Sequence, residues 1–355
     1  MTRRACAIVV LVACSTHSHM PASLDAADDI DALPPADANP LEPATLAGTG
    51  LCTDDACMQI SPDVTPYTPR WTLWADGATK RRWMYLPPGT QIDTTDMDHW
   101  NFPMGTKFWK EFTAPDSGGN PVRVETRYLA KVGPGDAVTD WFYVTYQWNA
   151  TEDGATAVTS GVADANGTQH DIPSRVNCKS CHENLKPTRI LGFGALQLDY
   201  TDPTAGEVDL AGAIANNWLS LPPTGSATPY FPLPSDGTTG ATDALGYLHA
   251  NCGQCHNPTS DVALSMDVPM NLRMTVGTLS SVSATPAYTT AVNIAATMPM
   301  AGLTLLVDPA MPDASLVVSR LESTNPAVQM PPIAVKMPDP TGDATLRTWI
   351  MNLPP

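Results

Sequence analysis

The pattern Cys-x-x-Cys-His occurs twice in this chain of 355 residues, as Cys178-Lys179-Ser180-Cys181-His182 and as Cys252-Gly253-Gln254-Cys255-His256. The copies begin 74 positions apart. With eight Cys and seven His, chance supplies roughly 0.004 copies per chain, so two copies mark a chemical requirement. Whatever the chain folds into must twice present two thiols three residues apart with an imidazole directly after the second.

Thiols three apart on one helical turn reach the two vinyl groups at a porphyrin edge, and the adjacent His then ligates the iron. The pattern is therefore read as covalent attachment of two haem c groups, through Cys178 and Cys181 with His182, and through Cys252 and Cys255 with His256. Two alternatives stand beside it. A zinc site built from two C-x-x-C pairs would not require a His after each second Cys. A disulfide between residues three apart is strained and more often catalytic than a staple.

What fills the sixth position of each iron separates electron transfer from ligand chemistry, and methionine favours electron transfer. Met330, in Gln329-Met330-Pro331-Pro332, is the candidate opposite His256, its alternative being a core Met under a Pro-rich turn. Met311 is a runner-up, and Met298 and Met300 are weaker. No Met lies between His182 and His249, so the first iron has only His249 or His170 as nearby candidates, each readable also as a structural His. An open position there would permit reduction or peroxide chemistry.

Arg3 and Arg4 followed by the apolar run Ala5 to Ala13 read as an export signal over residues 1–13, too short to span a bilayer. Leu11-Val12-Ala13-Cys14 resembles a bacterial lipobox, which implies cleavage before Cys14 and lipidation of its thiol. An ordinary signal peptide cut slightly later is the alternative. Several acyl chains would anchor the chain stably to a membrane. Residues 14–49, rich in Ala, Pro and Asp, read as a disordered tether. The balance of 19 Lys+Arg against 36 Asp+Glu, a net charge of -17, repels phosphate backbones and so excludes nucleic acid as a partner, while suiting a basic redox protein.

From residue 50 to 173, short runs of Trp, Tyr, Val and Thr between Pro, Gly, Asp and Asn are strand and turn signals. In Pro121 to Val132, Val122, Val124, Thr126 and Tyr128 alternate with Arg123, Glu125 and Arg127, the period of a half-buried strand. The runs Trp83 to Leu86, Lys107 to Phe112 and Trp141 to Trp148 extend the pattern. Cys52 and Cys57 are expected to pair as a disulfide in an oxidising compartment. Trp71, Trp74, Trp83, Trp100 and Trp109 are read as packing residues, with stacking on a sugar or other flat ligand as the functional alternative. Beyond residue 173 short helical signals take over, with Asp243, Asp313 and Asp343 as N-cap candidates. The expectation is an α+β multidomain chain: an N-terminal antiparallel β-sandwich-like domain (50–173), then mainly α cytochrome c-type haem domains, a first haem segment (174–235) and a second haem domain (236–355).

Several further stretches strengthen this. Leu73-Trp74-Ala75-Asp76-Gly77-Ala78 with Lys80 and Arg82, Leu86-Pro87-Pro88-Gly89, Phe102-Pro103-Met104-Gly105-Thr106-Lys107, Glu125-Thr126-Arg127, Leu191-Gly192-Phe193-Gly194-Ala195-Leu196-Gln197-Leu198 and Asn251 to Pro258 together resemble bacterial exported diheme c-type cytochromes with a β-rich N-terminal domain. The resemblance covers about residues 60 to 355. Met330-Pro331-Pro332 before Trp349-Ile350 is also similar to a wider cytochrome c domain group in which that Met is the axial ligand, whereas Asp308-Pro309-Ala310-Met311 departs from the group's usual Pro-Gly-Asp-Pro. The resemblance implies a periplasmic or cell-surface electron carrier, with a diheme peroxidase or reductase, or a β-domain binding module with accessory haems, as the alternatives.

Overall fold

The computed structural model describes residues 42–183, 190–225, 228–261, 264, 268–333 and 335–355. The export signal, Cys14 and the tether as far as residue 41 lie outside the described residues. Six strands run as an antiparallel meander in sequence order: β1 (Thr65–Pro66), β2 (Thr79–Tyr85), β3 (Lys107–Pro115), β4 (Pro121–Lys131), β5 (Trp141–Trp148) and β6 (Ala155–Val158). The alternating residues 121–132 thus form β4, with an extra residue, Val124, where the register with β3 shifts after Phe112.

Side chains alternate between the two faces of this sheet. One face carries the aligned row Trp83, Trp109, Tyr128 and Val144, covered by Leu46, Leu51, Cys52, Cys57 and Val64 from the segment that precedes the sheet. Trp109 Nε1 donates to Thr49 Oγ1 at 2.8 Å and the Tyr146 hydroxyl to the Pro43 carbonyl at 2.8 Å. Residues 42–49, read from sequence as the end of the tether, are therefore packed against the sheet. Cys52 and Cys57 are joined as a disulfide with Cα atoms 5.0 Å apart in the same covering layer. Trp83, Trp100 and Trp109 are 5%, 2% and 1% exposed, so three of the five tryptophans considered for ligand stacking are core residues. A buried aromatic removes roughly 200 Å² from water, about 5 kcal/mol at about 25 cal/mol per Å², which is why these positions are spent on packing.

The other face carries the row Met84, Phe108, Leu129 and Tyr143, packed against Phe193, Leu198, Leu210 and Leu219. Helices α1 (Arg175–His182), α2 (Ala195–Leu198), α3 (Leu210–Ala215), α4 (Ala241–Asn251) and α5 (Pro286–Ala291) follow. A hairpin of β7 (Ala295–Met300) and β8 (Leu303–Leu305), then α6 (Leu316–Glu322) and α7 (Pro340–Met351), complete the chain. Leu245 and Leu248 of α4, Leu321 of α6 and Leu346, Trp349 and Ile350 of α7 form a second core.

The expected architecture of a β-sandwich followed by mainly α haem domains is not what the chain adopts. Among the described residues there is one six-stranded sheet and no second sheet facing it, only about a quarter of residues are helical, and no helical cytochrome c domain stands apart. The physical reason lies in 35 Pro and 24 Gly, which cut the C-terminal half into helices of 4 to 12 residues. Such helices bury too little by themselves, and residues 190–219 take their core from the sheet instead.

Helix starts shift accordingly. Asp339, not Asp343, caps α7, its carboxylate accepting from the Thr341 and Gly342 amides at 3.0 Å, because Pro340 suits the first helical position. Gly240 stands at the N-cap of α4, with Asp243 inside the first turn, and Ser315 at that of α6. Among the described residues no helix is long and apolar enough to cross a membrane.

Candidate functional site

The first Cys-x-x-Cys-His copy ends α1, whose N-cap Ser174 accepts from the Asn177 amide at 3.3 Å. Helical spacing places Cys178 and Cys181 on one side of that helix. The helix lies across β5: the Tyr143 ring stacks on His182 with centroids 6.3 Å apart, and the Tyr143 hydroxyl donates to Glu183 Oε1 at 2.6 Å. The second copy was expected within a helix, but α4 stops at Asn251 and Cys252 is its C-cap. The motif continues as a tight turn in which the Cys255 and His256 amides donate to the Cys252 carbonyl at 3.1 and 2.8 Å. The Asn257 side chain then donates to the Gly253 and Gln254 carbonyls at 3.0 Å each.

These two motifs meet. Cys181 and Cys255 are hydrogen-bonded to one another through their side chains, so segments separated by 74 positions share one site. Cys178, Cys181, Cys252 and Cys255 are all free of disulfides. Contact with Cys255, and then burial, hold the Cys181 thiol well above its ordinary range, while burial pushes Cys252 up to about 12 and raises Cys178 against the pull of Arg127. The thiols are thus protonated and poor nucleophiles at neutral pH, unlike the depressed thiols of redox C-x-x-C sites.

Burial, with a smaller contribution from Arg320, lowers His256 to about 4, so its imidazole is neutral and able to ligate a metal. Its Nδ1 is buried with no hydrogen-bond partner among the described residues. An orphaned buried ring nitrogen is costly unless something else occupies the imidazole. Four unbonded thiols and two adjacent imidazoles are the donor set of two haem c groups, and these residues fit them. Four-ligand zinc fits less well: among the described residues no three His, Cys, Asp or Glu side chains are grouped to share a metal ion.

The candidate axial residues separate. The Met330 amide donates to the Arg320 carbonyl at 2.9 Å on α6, and Arg320 is also the cation felt by His256, so both members of the expected axial pair neighbour one residue. Met311 and Met298 are exposed at 56% and 38%, and Met300 lies on β7. His170 is committed elsewhere, its Nε2 paired with Glu125 Oε1 at 2.7 Å and its ring over Phe112. His249 accepts the Met274 amide on Nδ1 at 3.1 Å. It lines an open cleft of about 640 Å³ together with Trp100, Phe193 and Arg273.

Residues that sequence reasoning left without a role brace this site. The Trp74 amide donates to Asn251 Oδ1 at 2.7 Å, directly before Cys252, and Trp74 Nε1 donates to the Met337 carbonyl at 2.9 Å. The Asp76 carboxylate accepts from the Lys336 and Met337 amides, both at 2.9 Å. Leu73 to Gly77 is therefore a strap joining the second motif to the loop that carries Met330. Trp71, just before it, packs so closely on α4 that a Cβ at Gly246 would collide with its indole. Asp76→Ala should lose both amide bonds at about 1 kcal/mol each and lower stability by roughly 2–3 kcal/mol, with Asp76→Asn milder, as chemical denaturation would read. Only a resemblance to known sequences had marked this stretch, because its contacts are 177 and more positions away in sequence.

Comparison of this chain with protein-family models, with curated proteins and with solved structures returned no match.

Proposed function

We propose that the chain is an exported electron carrier holding two haem c groups, one on Cys178, Cys181 and His182 and one on Cys252, Cys255 and His256, with Met330 as the axial partner of His256. The observation that carries this reading is the convergence of the two Cys-x-x-Cys-His motifs through Cys181 and Cys255. When bound, each haem supplies a one-electron iron couple. The chain supplies the rest. Burial keeps the imidazoles neutral and the thiols out of side reactions, the strap at Trp74 and Asp76 fixes the second motif against the Met330 loop, and adjacent attachment points keep the two centres close. A net charge of -17 suits docking to basic redox proteins, and lipidation of Cys14 would keep the carrier on the outer side of a bacterial membrane.

A second reading, a peroxidase or reductase acting at the first haem, is favoured by one observation: His170 is held by Glu125, and the remaining candidate, His249, borders an open cleft. Both are tested on protein matured in a host that attaches haem c. The expected result is two haems per chain by pyridine haemochrome, low-spin magnetic circular dichroism for both irons, and a Met-to-iron band abolished in Met330→Ala. A high-spin iron with peroxide turnover would favour the second reading. A chain without covalent haem would overturn both.

A further inference from the structure

The face of the sheet beneath the first motif holds more positive charge than its surroundings neutralise. Arg82, Lys110 and Arg127 are directly opposite one another across β2, β3 and β4, and Lys80 lies two residues from Arg82 on the same face. Three of these cations crowd one aromatic ring, with Lys80 Nζ at 5.9 Å, Lys110 Nζ at 4.9 Å and Arg127 Cζ at 4.3 Å from the Phe112 centroid. Arg82 is 5% exposed. Against these four cations the only ion pair among the described residues is Arg127 with Glu125, while Lys80 Nζ donates to the Leu73 carbonyl at 2.9 Å. Asp76 and Asp339 act on Lys80, and Glu207 on Arg82, only at a distance.

Like charges aligned across strands repel, and uncompensated buried charge costs several kcal/mol. Cation–π contacts of about 0.5–1 kcal/mol each do not offset that. In a chain of net charge -17 such an accumulation calls for an anionic partner. The thiols of Cys178 and Cys181 both lie within electrostatic range of Arg127, and Cys181 also of Lys110. Whatever is tethered at those sulfurs is held beside the row.

We infer that Arg82, Lys110 and Arg127, with Lys80 beside them, form the seat for the two propionate carboxylates of the haem attached at Cys178 and Cys181. This inference rests on reading the two motifs as haem attachment sites. It gives Lys80, Arg82 and Arg127, which stood in the sequence as signatures without chemistry, one common task.

The test compares the full chain with haem attached and the full chain made without haem maturation, each carrying Lys110→Met. In the haem-free chain the substitution removes a repelled cation and should raise the melting temperature. In the loaded chain it should lower the melting temperature and lower the potential of one haem, shifting the oxidised-to-reduced ratio at fixed potential by about tenfold, which is 59 mV for one electron. Lys110→Arg should preserve both properties, and Arg82→Met should repeat the reversal should Lys110→Met fold poorly. Two haems in the parent chain, with potentials unmoved and melting shifts of the same sign in both forms, would overturn this inference alone. Stabilisation of the haem-free chain by added phosphate with no change of potential in the loaded variants would assign the row to a free anion and also overturn it. No covalent haem in the parent chain would remove the proposed function and this inference with it.

Discussion

Replacing Cys252 and Cys255 together by serine is expected to halve the covalent haem content, from two per chain to one, as read by pyridine haemochrome and by intact mass. A thioether needs the sulfur, and no other free cysteine among the described residues can substitute, since Cys52 and Cys57 are joined to each other. The fold itself should tolerate the change. The turn around the motif is held by backbone bonds and by the Asn257 side chain, not by the thiols. Because Cys255 touches Cys181, the substitution should also perturb the spectrum of the remaining haem, which a pair of independent sites would not show. Cys178→Ser with Cys181→Ser is the mirror experiment. Undiminished haem content in either double variant would end the assignment, and a free-thiol assay showing a Cys181–Cys255 disulfide in the native protein would replace it with thiol chemistry.

Sequence and structure agree where a local period carries the information. The alternation of residues 121–132 and the aromatic runs around Trp83, Trp109 and Trp141 are strands β2 to β5. The same alternation misleads about surroundings. Arg123, Glu125 and Arg127 read as the wet side of a half-buried strand, yet Glu125 is fully buried and Arg127 lies beneath the first motif, because both faces of the sheet are covered. One cover is residues 42–64 and the other is the irregular chain of residues 190–219. Neither has a period from which a covering layer could be read, and that is why a second sheet was expected in their place.

At the site, the identities of the six haem-attaching and iron-ligating residues were legible, since each motif is contiguous. Their convergence was not, because it depends on α1 lying across β5 and on α4 ending at Asn251. The strap at Trp74 and Asp76 was equally hidden. Its partners, Asn251, Lys336 and Met337, are linked to it by backbone amides and carbonyls that leave no trace in residue type.

Glu125→Gln should be the most damaging single substitution of a residue that does not hold haem. Glu125 is fully buried, accepts from Arg127 Nε at 3.0 Å and from His170 Nε2 at 2.7 Å, and is the one carboxylate paired with the cationic row. Burial by itself would raise its pKa, but Arg127 and the His170 hydrogen bond outweigh burial and hold it down to about 2, from an ordinary 4.5. An ionised carboxylate only accepts, so His170 must donate through Nε2. The folded chain binds this proton more weakly than the unfolded chain does. Its stabilisation is therefore complete above pH 4.5 and drains away as pH falls towards 2, a difference worth roughly 3 kcal/mol. Glutamine keeps the shape but leaves Arg127 buried without its counter-charge, at a cost of about 3–5 kcal/mol at neutral pH. Urea denaturation between pH 7 and pH 2 should show a large loss at neutral pH and a flattened acid limb in the variant. If the acid limb keeps its slope, other carboxylates carry the proton linkage; if neutral stability is unchanged, Arg127 has another counter-charge and the cationic row is better neutralised than its geometry indicates.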